Sequence, residues 1–172
     1  MPEVNVFVLA RAVTHAALFI GFFLVYLPAR LLARAGINAP PAWGPAQLAG
    51  GLLAAAGAAL AVTCVLVFAT IGKGTPAPFD PPRRLVDRGP YAWVRNPMYL
   101  GAWLALAGAA LYFESLALLL FDGLFIAATV AFVLLYQEPT LRSLFGEEYD
   151  RDCATVGRWW PRMPRSRSAP DS

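Results

Sequence analysis

Four apolar runs constrain this chain more than anything else in it: Val4 to Leu27, Leu48 to Ile71, Met98 to Phe113 and Leu116 to Tyr136. A helix rises about 1.5 Å per residue and a hydrocarbon core is roughly 30 Å thick, so about 20 apolar residues make one crossing. The third run is short and the other three are long enough. In lipid a segment must satisfy its own backbone hydrogen bonds, which a helix does by itself. The chain is 58% hydrophobic and only 15% charged, which also places it among membrane proteins. The expected fold is therefore all-α, an integral membrane bundle of about four transmembrane helices. Only Glu114-Ser115 separates the third and fourth runs, which predicts a tight helical hairpin, with Asp122 one to two turns inside the fourth helix.

Basic residues orient the bundle. Lys73, Arg83, Arg84, Arg88 and Arg95 lie between the second and third runs, and Arg142, Arg151, Arg158, Arg162, Arg165 and Arg167 follow the fourth. The first loop carries Arg30 and Arg34, and the hairpin turn carries none. This bias predicts that both termini and the second loop are cytoplasmic. It also accounts for the net charge of +3, so no nucleic-acid partner is expected. The first run has no basic leader and contains Arg11 and His15, unlike a cleaved signal peptide. Those two residues share a helix face, either as a functional pair or as a cation snorkelling to the interface.

Several chemistries find no support in the residues. Cys64 and Cys153 have no metal-type spacing, so no metal is expected. Gly72-Lys73-Gly74-Thr75 lacks the upstream glycine of a phosphate loop and reads as a helix exit. Gly50, Gly51, Ala54, Ala55, Ala58 and Ala59, facing Gly101, Ala105 and Ala109, predict close helix packing.

Two segments at the cytoplasmic end are less ordinary. Prolines 76, 78, 81, 82, 90 and 97 alternate with apolar residues in the second loop, which predicts a stiff strap laid against the bundle. Pro97 suits the first turn of helix three, with Asn96 as its N-cap. After Glu138-Pro139, where helix four is expected to end, Leu141, Leu144, Phe145, Tyr149 and Cys153 recur on one face. This predicts a cytoplasmic C-terminal amphipathic helix bent at Gly146, then interfacial Trp159 and Trp160 and a disordered end.

The stretch G-P-Y-x-x-V-R-N-P-M-Y-x-G (Gly89 to Gly101), then E-P-x-L-x-x-x-F-G-x-x-Y from Glu138 and V-x-R-W-x-P-R from Val156, resembles the isoprenylcysteine carboxyl methyltransferase family and its phospholipid methyltransferase relatives. The likeness spans Gly74 to Arg162. It implies a membrane enzyme that uses S-adenosylmethionine without a Rossmann domain. On that pattern Tyr91, Arg95, Asn96, Met98, Tyr99, Gly101 and Glu138 are the cofactor-binding residues, with Arg95 and Glu138 as the catalytic pair. The chain departs from the pattern at Asn96, where histidine is commonest, at Gln137, where a first glutamate is common, and at Val133, where eukaryotic relatives carry arginine. The resemblance implies partners within the membrane: lipids, and a lipophilic small-molecule or prenylated acceptor entering from the bilayer.

The residue types suit that chemistry. A sulfonium methyl donor is already activated, so the protein mainly aligns donor and acceptor. Glu138 is suited to the ribose hydroxyls or the ammonium of such a donor, Arg95 to its carboxylate, and the aromatic rings to adenine or the sulfonium. A carboxylate acceptor needs no base, whereas an amine must lose a proton, which makes lipid N-methylation the alternative reaction. Each residue also has a plain structural role open to it: Asn96 a cap, Arg95 a membrane anchor, Glu138 a helix end. A non-enzymatic scaffold is the corresponding alternative function. The expected organisation is a two-helix segment over 1–71, a cofactor loop, hairpin and C-terminal catalytic segment over 72–163, and a tail over 164–172.

Overall fold

The computed structural model describes residues 14, 17–67 and 88–162. Arg11, His15, the Gly72 to Thr75 stretch, most of the proline-rich strap and the chain beyond Arg162 lie outside the described residues. Helix α1 spans Ala17–Arg34, α2 Pro45–Val67, α3 Pro97–Tyr112, α4 Leu116–Phe145 and α5 Glu147–Thr155. A short 3-10 turn, Gly89–Ala92, precedes α3. The all-α membrane bundle is thus present: α1, α2 and α4 are long and apolar enough to cross a membrane, and α3 is a shorter apolar helix. At 16 residues α3 covers only about 24 Å, as its short apolar run led one to expect.

Two helices run past the ends that the sequence suggested, and for one reason. Helix α1 continues through Pro28 to Arg34, so Arg30 and Arg34 occupy its last turns instead of a loop. Helix α4 continues through Pro139 to Phe145 instead of stopping at Glu138. A proline ring collides with the carbonyl one turn upstream and offers no N–H to it. In both helices a π-helical stretch stands just before the proline, Gly21–Tyr26 ahead of Pro28 and Val133–Gln137 ahead of Pro139. The wider turn relieves the collision and lets the helix go on. The true break comes at Gly146, whose φ of +52° favours glycine, so the expected bent tail helix is two separate helices.

Helices α2 and α3 form the tightest pair. A side chain added at Gly101 would place its Cβ 2.8 Å from the backbone of both Ala61 and Gly57. One added at Gly108 would lie 2.7 Å from the Gly50 carbonyl oxygen. The antiparallel contact therefore uses glycines seven residues apart on each helix, Gly50 and Gly57 against Gly108 and Gly101. Ala55, Ala58 and Ala59, expected in this contact, are exposed. The opposite face of α3 presents Ala102 and Leu106 to Phe125 of α4, with Phe23 and Leu24 of α1 packed on the same cluster.

The hairpin between α3 and α4 turns at Glu114 and Ser115 as expected. The Ser115 amide donates to the Ala110 carbonyl at 2.9 Å, and the Ser115 hydroxyl accepts from the Leu118 amide at 3.4 Å. Gln47 at the start of α2 ties the turn down by donating to Glu114 at 2.8 Å. With this turn at one interface, Glu138 stands about 33 Å along the α4 axis, at the other interface. The α2–α3 crossing and the hairpin together fix where the start of α3 meets the end of α4.

Candidate functional site at the end of the bundle

Arg95 and Glu138, 43 positions apart in the sequence, meet there. Arg95 Nη2 lies 3.3 Å from Glu138 Oε1, and the two side chains are only 11% and 13% exposed. Arg158, from the segment after α5, grips the same carboxylate with two donors: Nε to Oε1 at 2.6 Å and Nη2 to Oε2 at 2.8 Å. Such a forked pair fixes the plane of the carboxylate as well as its position. Arg95 Nη1 donates to the Tyr149 hydroxyl at 3.2 Å and to the Cys153 sulfur, and its guanidinium lies 5.7 Å from the centre of the Tyr149 ring. Burial, and after it the negative charge of Glu138, pushes the Tyr149 phenol upward, so the hydroxyl keeps its proton.

Backbone contacts lock the two strips of chain together. The Arg95 amide donates to the Gly157 carbonyl at 2.8 Å, beside a single parallel bridge between Val94 and Gly157. Gly157 must be glycine, since a Cβ there would collide with the Trp160 carbonyl. Asn96 is 6% exposed, and its Nδ2 donates to the Arg158 carbonyl at 3.3 Å. The expected capping role is therefore not what this side chain performs: no cap hydrogen bond forms, because the amide is drawn to the returning tail. Trp159 is held by Trp103 of α3, with ring centres 4.6 Å apart, and Trp103 Nε1 donates to Thr129 of α4 at 3.0 Å. Trp159 is thus half-buried in the bundle, while Trp160 is 82% exposed.

The remaining expected site residues divide into two groups. Tyr99 is buried, and its hydroxyl donates to Gln137 Oε1 at 3.3 Å, one residue before Glu138. Tyr91, in the 3-10 turn, is half-buried; burial, then neighbouring Cys64 and Tyr99, push its phenol upward, which places it by the end of α2. Met98 is half-buried in the first turn of α3. Gly101 points at α2 and serves helix packing instead of the charged cluster. The sequence assignment omitted Arg158, Tyr149, Cys153 and Gln137 as site residues. Arg158 stands inside the V-x-R-W-x-P-R block and Tyr149 ends the E-P block, so both lay within the quoted motifs.

The sequence profile of the phospholipid methyltransferase family matches residues 45–148, well over half of the chain and all of α2, α3 and α4. The chain belongs to the phospholipid methyltransferase family. That family includes the isoprenylcysteine carboxyl methyltransferases, and its methyltransferases generally use S-adenosylmethionine. No curated protein and no solved structure matches the chain. Arg95, Asn96, Tyr99 and Glu138 fall inside the family match, whereas Tyr149, Cys153 and Arg158 lie beyond its end. Membership in the phospholipid methyltransferase family, with the apolar helices, marks an integral membrane protein of methyltransferase type.

The donor set fits a cofactor carrying both an anionic and a cationic end. Glu138 offers a carboxylate, and Arg95 offers a buried guanidinium whose Nε has no hydrogen-bond partner among the described residues. A buried donor left without a partner costs roughly 1–3 kcal/mol, a cost a bound acceptor removes. Val133 is fully buried one turn before Glu138, so this position of α4 contributes packing and no charge to the site.

Proposed function

We propose that this protein is an integral-membrane, S-adenosylmethionine-dependent methyltransferase whose site lies at the cytoplasmic end of the bundle and whose acceptor is lipophilic. The observation that carries this is the 3.3 Å contact between Arg95 and Glu138, two residues from separate motif blocks that only folding brings together. When bound, the cofactor would supply an activated methyl group. Glu138 would receive hydrogen bonds from its ribose hydroxyls or ammonium, and Arg95 would hold its carboxylate. Tyr99 stands beside Glu138 through its bond to Gln137, Tyr91 neighbours Tyr99, and Asn96 ties the tail to the start of α3 by its bond to the Arg158 carbonyl.

Carboxyl methylation is the favoured reaction. The chain has one histidine, His15, far in sequence from both blocks, and the Glu138 carboxylate is already held by two guanidinium groups. Neither is suited to take a proton from an amine, while a carboxylate acceptor such as that of a prenylated cysteine has none to lose. The basic residues around the site argue for the cytoplasmic face, and the apolar walls of α3 and α4 for acceptor entry from the bilayer. Purified protein in detergent, titrated with S-adenosylmethionine, should show saturable binding that is lost in Glu138→Ala and weakened in Arg95→Ala. Absence of saturable binding in the wild-type protein would favour a non-enzymatic scaffold. Transfer of labelled methyl groups into membrane extracts, separated into base-labile esters and stable amines, decides between carboxyl and amine acceptors.

A further inference from the structure

We propose that Arg158 is a positioning residue that competes with the cofactor for Glu138, so that the C-terminal segment acts as a latch on the cofactor site. The inference rests on Glu138 being a cofactor-holding group. Both oxygens of that carboxylate are occupied by Arg158, at 2.6 and 2.8 Å, whereas Arg95 approaches only Oε1 and at 3.3 Å. Oε1 thus already accepts two bonds and Oε2 one, so a ligand that engages both oxygens, as a pair of ribose hydroxyls does, must displace a donor from Oε1. Arg95 cannot be the part that yields, because it is 11% exposed and further held by Tyr149, Cys153 and the ring of Tyr149. Arg158 can, because its side chain is 38% exposed and a displaced guanidinium reaches water by rotating about its own bonds.

The rest of the segment is anchored independently of that side chain. The carbonyls of Gly157 and Arg158 accept from the Arg95 amide and from Asn96 Nδ2, and Trp159 stacks on Trp103. Removing the Arg158 side chain therefore releases Glu138 without unmooring the chain that carries it. Arg158 also lies past residue 148, where the family match ends, so the latch belongs to the part of this chain outside the family match.

The test is S-adenosylmethionine binding to the full-length protein in detergent, by calorimetry, for wild type, Arg158→Ala and Arg158→Lys. Competition predicts that Arg158→Ala binds about two- to fivefold more tightly than wild type, the loss of one half-exposed charge-assisted contact. Arg158→Lys, with one donor instead of a fork, should fall between the two. Tighter binding should come with an unchanged or lower melting temperature of the unliganded protein, a combination that a purely structural role does not give. If the wild type binds and Arg158→Ala binds equally or more weakly, the latch is wrong and the cofactor site stands. If neither protein binds, the cofactor reading itself fails. Should Arg158→Ala not fold, the order of Arg158→Lys and wild type decides the matter alone.

Discussion

Glu138→Gln is the most informative single change at this site, because it keeps the shape of the side chain and removes only its charge. Two guanidinium groups depend on that charge to different extents. Arg158 is 38% exposed, so water replaces most of what it loses, and its share is under about 1 kcal/mol. Arg95 is 11% exposed and would lose the only negative charge against it among the described residues, keeping neutral acceptors alone: the amide oxygen, the Tyr149 hydroxyl and the Cys153 sulfur. Stripping the partner from a buried charge costs about 3–5 kcal/mol when burial is complete. The amide still accepts at Oε1 but turns an N–H toward Arg158 Nη2, which now sits 2.8 Å from Oε2. Together these terms predict a loss of about 2–4 kcal/mol from the docking of the C-terminal segment. Tryptophan fluorescence reads the transition directly, since Trp159 leaves Trp103 when the segment detaches. A double-mutant cycle then separates the causes: Arg95→Met with Glu138→Gln removes the stranded charge along with its partner and should be less destabilised than Glu138→Gln alone. A loss under about 0.5 kcal/mol for Glu138→Gln would show that solvent already screens the cluster, and the argument from burial would collapse.

Gly108→Val should disrupt the α2–α3 crossing, because a Cβ at Gly108 meets the Gly50 carbonyl and Ala54 backbone, neither of which can yield. Forcing the helices apart costs about 1–3 kcal/mol, visible as a lower melting temperature in detergent, whereas Gly123→Ala, in mid-helix with open space around it, should hold or slightly raise that temperature. Asp122 is 4% exposed in α4 with Oδ1 lacking a partner among the described residues, so Asp122→Leu should raise stability by about 1–3 kcal/mol; a fall would reveal a partner for this carboxyl. Tyr149 gives a pH dependence. Its phenol is raised in the folded state, so the folded protein holds a proton that the unfolded chain releases above about pH 10. Stability from this group is fully present below that pH and declines above it, and Tyr149→Phe should flatten the decline in a melting-temperature profile taken from pH 8 to 11.

Much of the architecture was legible in the residues because lipid imposes simple rules. Length and hydrophobicity alone set the crossings, a polar pair between two apolar runs set the hairpin, and small residues announced a close helix contact. The register of that contact was not legible. Runs of glycine and alanine offer several equivalent stripes, and only the mutual fit of α2 and α3 selected Gly50, Gly57, Gly101 and Gly108. Helix ends were misjudged at Pro28 and Pro139, since a π-helical turn that absorbs a proline leaves no mark in hydropathy.

At the site, sequence named Arg95, Asn96, Tyr99 and Glu138 through their motif blocks, and the fold brings all four to one end of the bundle. It could not show that Asn96 reaches for the Arg158 carbonyl instead of capping α3, or that Arg158 occupies both oxygens of Glu138. Spacing along one helix is a local property, fixed by 1.5 Å per residue, and so it is written in the chain. Which arginine reaches which carboxylate depends on where the segment after α5 returns, and a hydrogen bond from Arg95 to Gly157, 62 residues away, decides that only in the folded molecule.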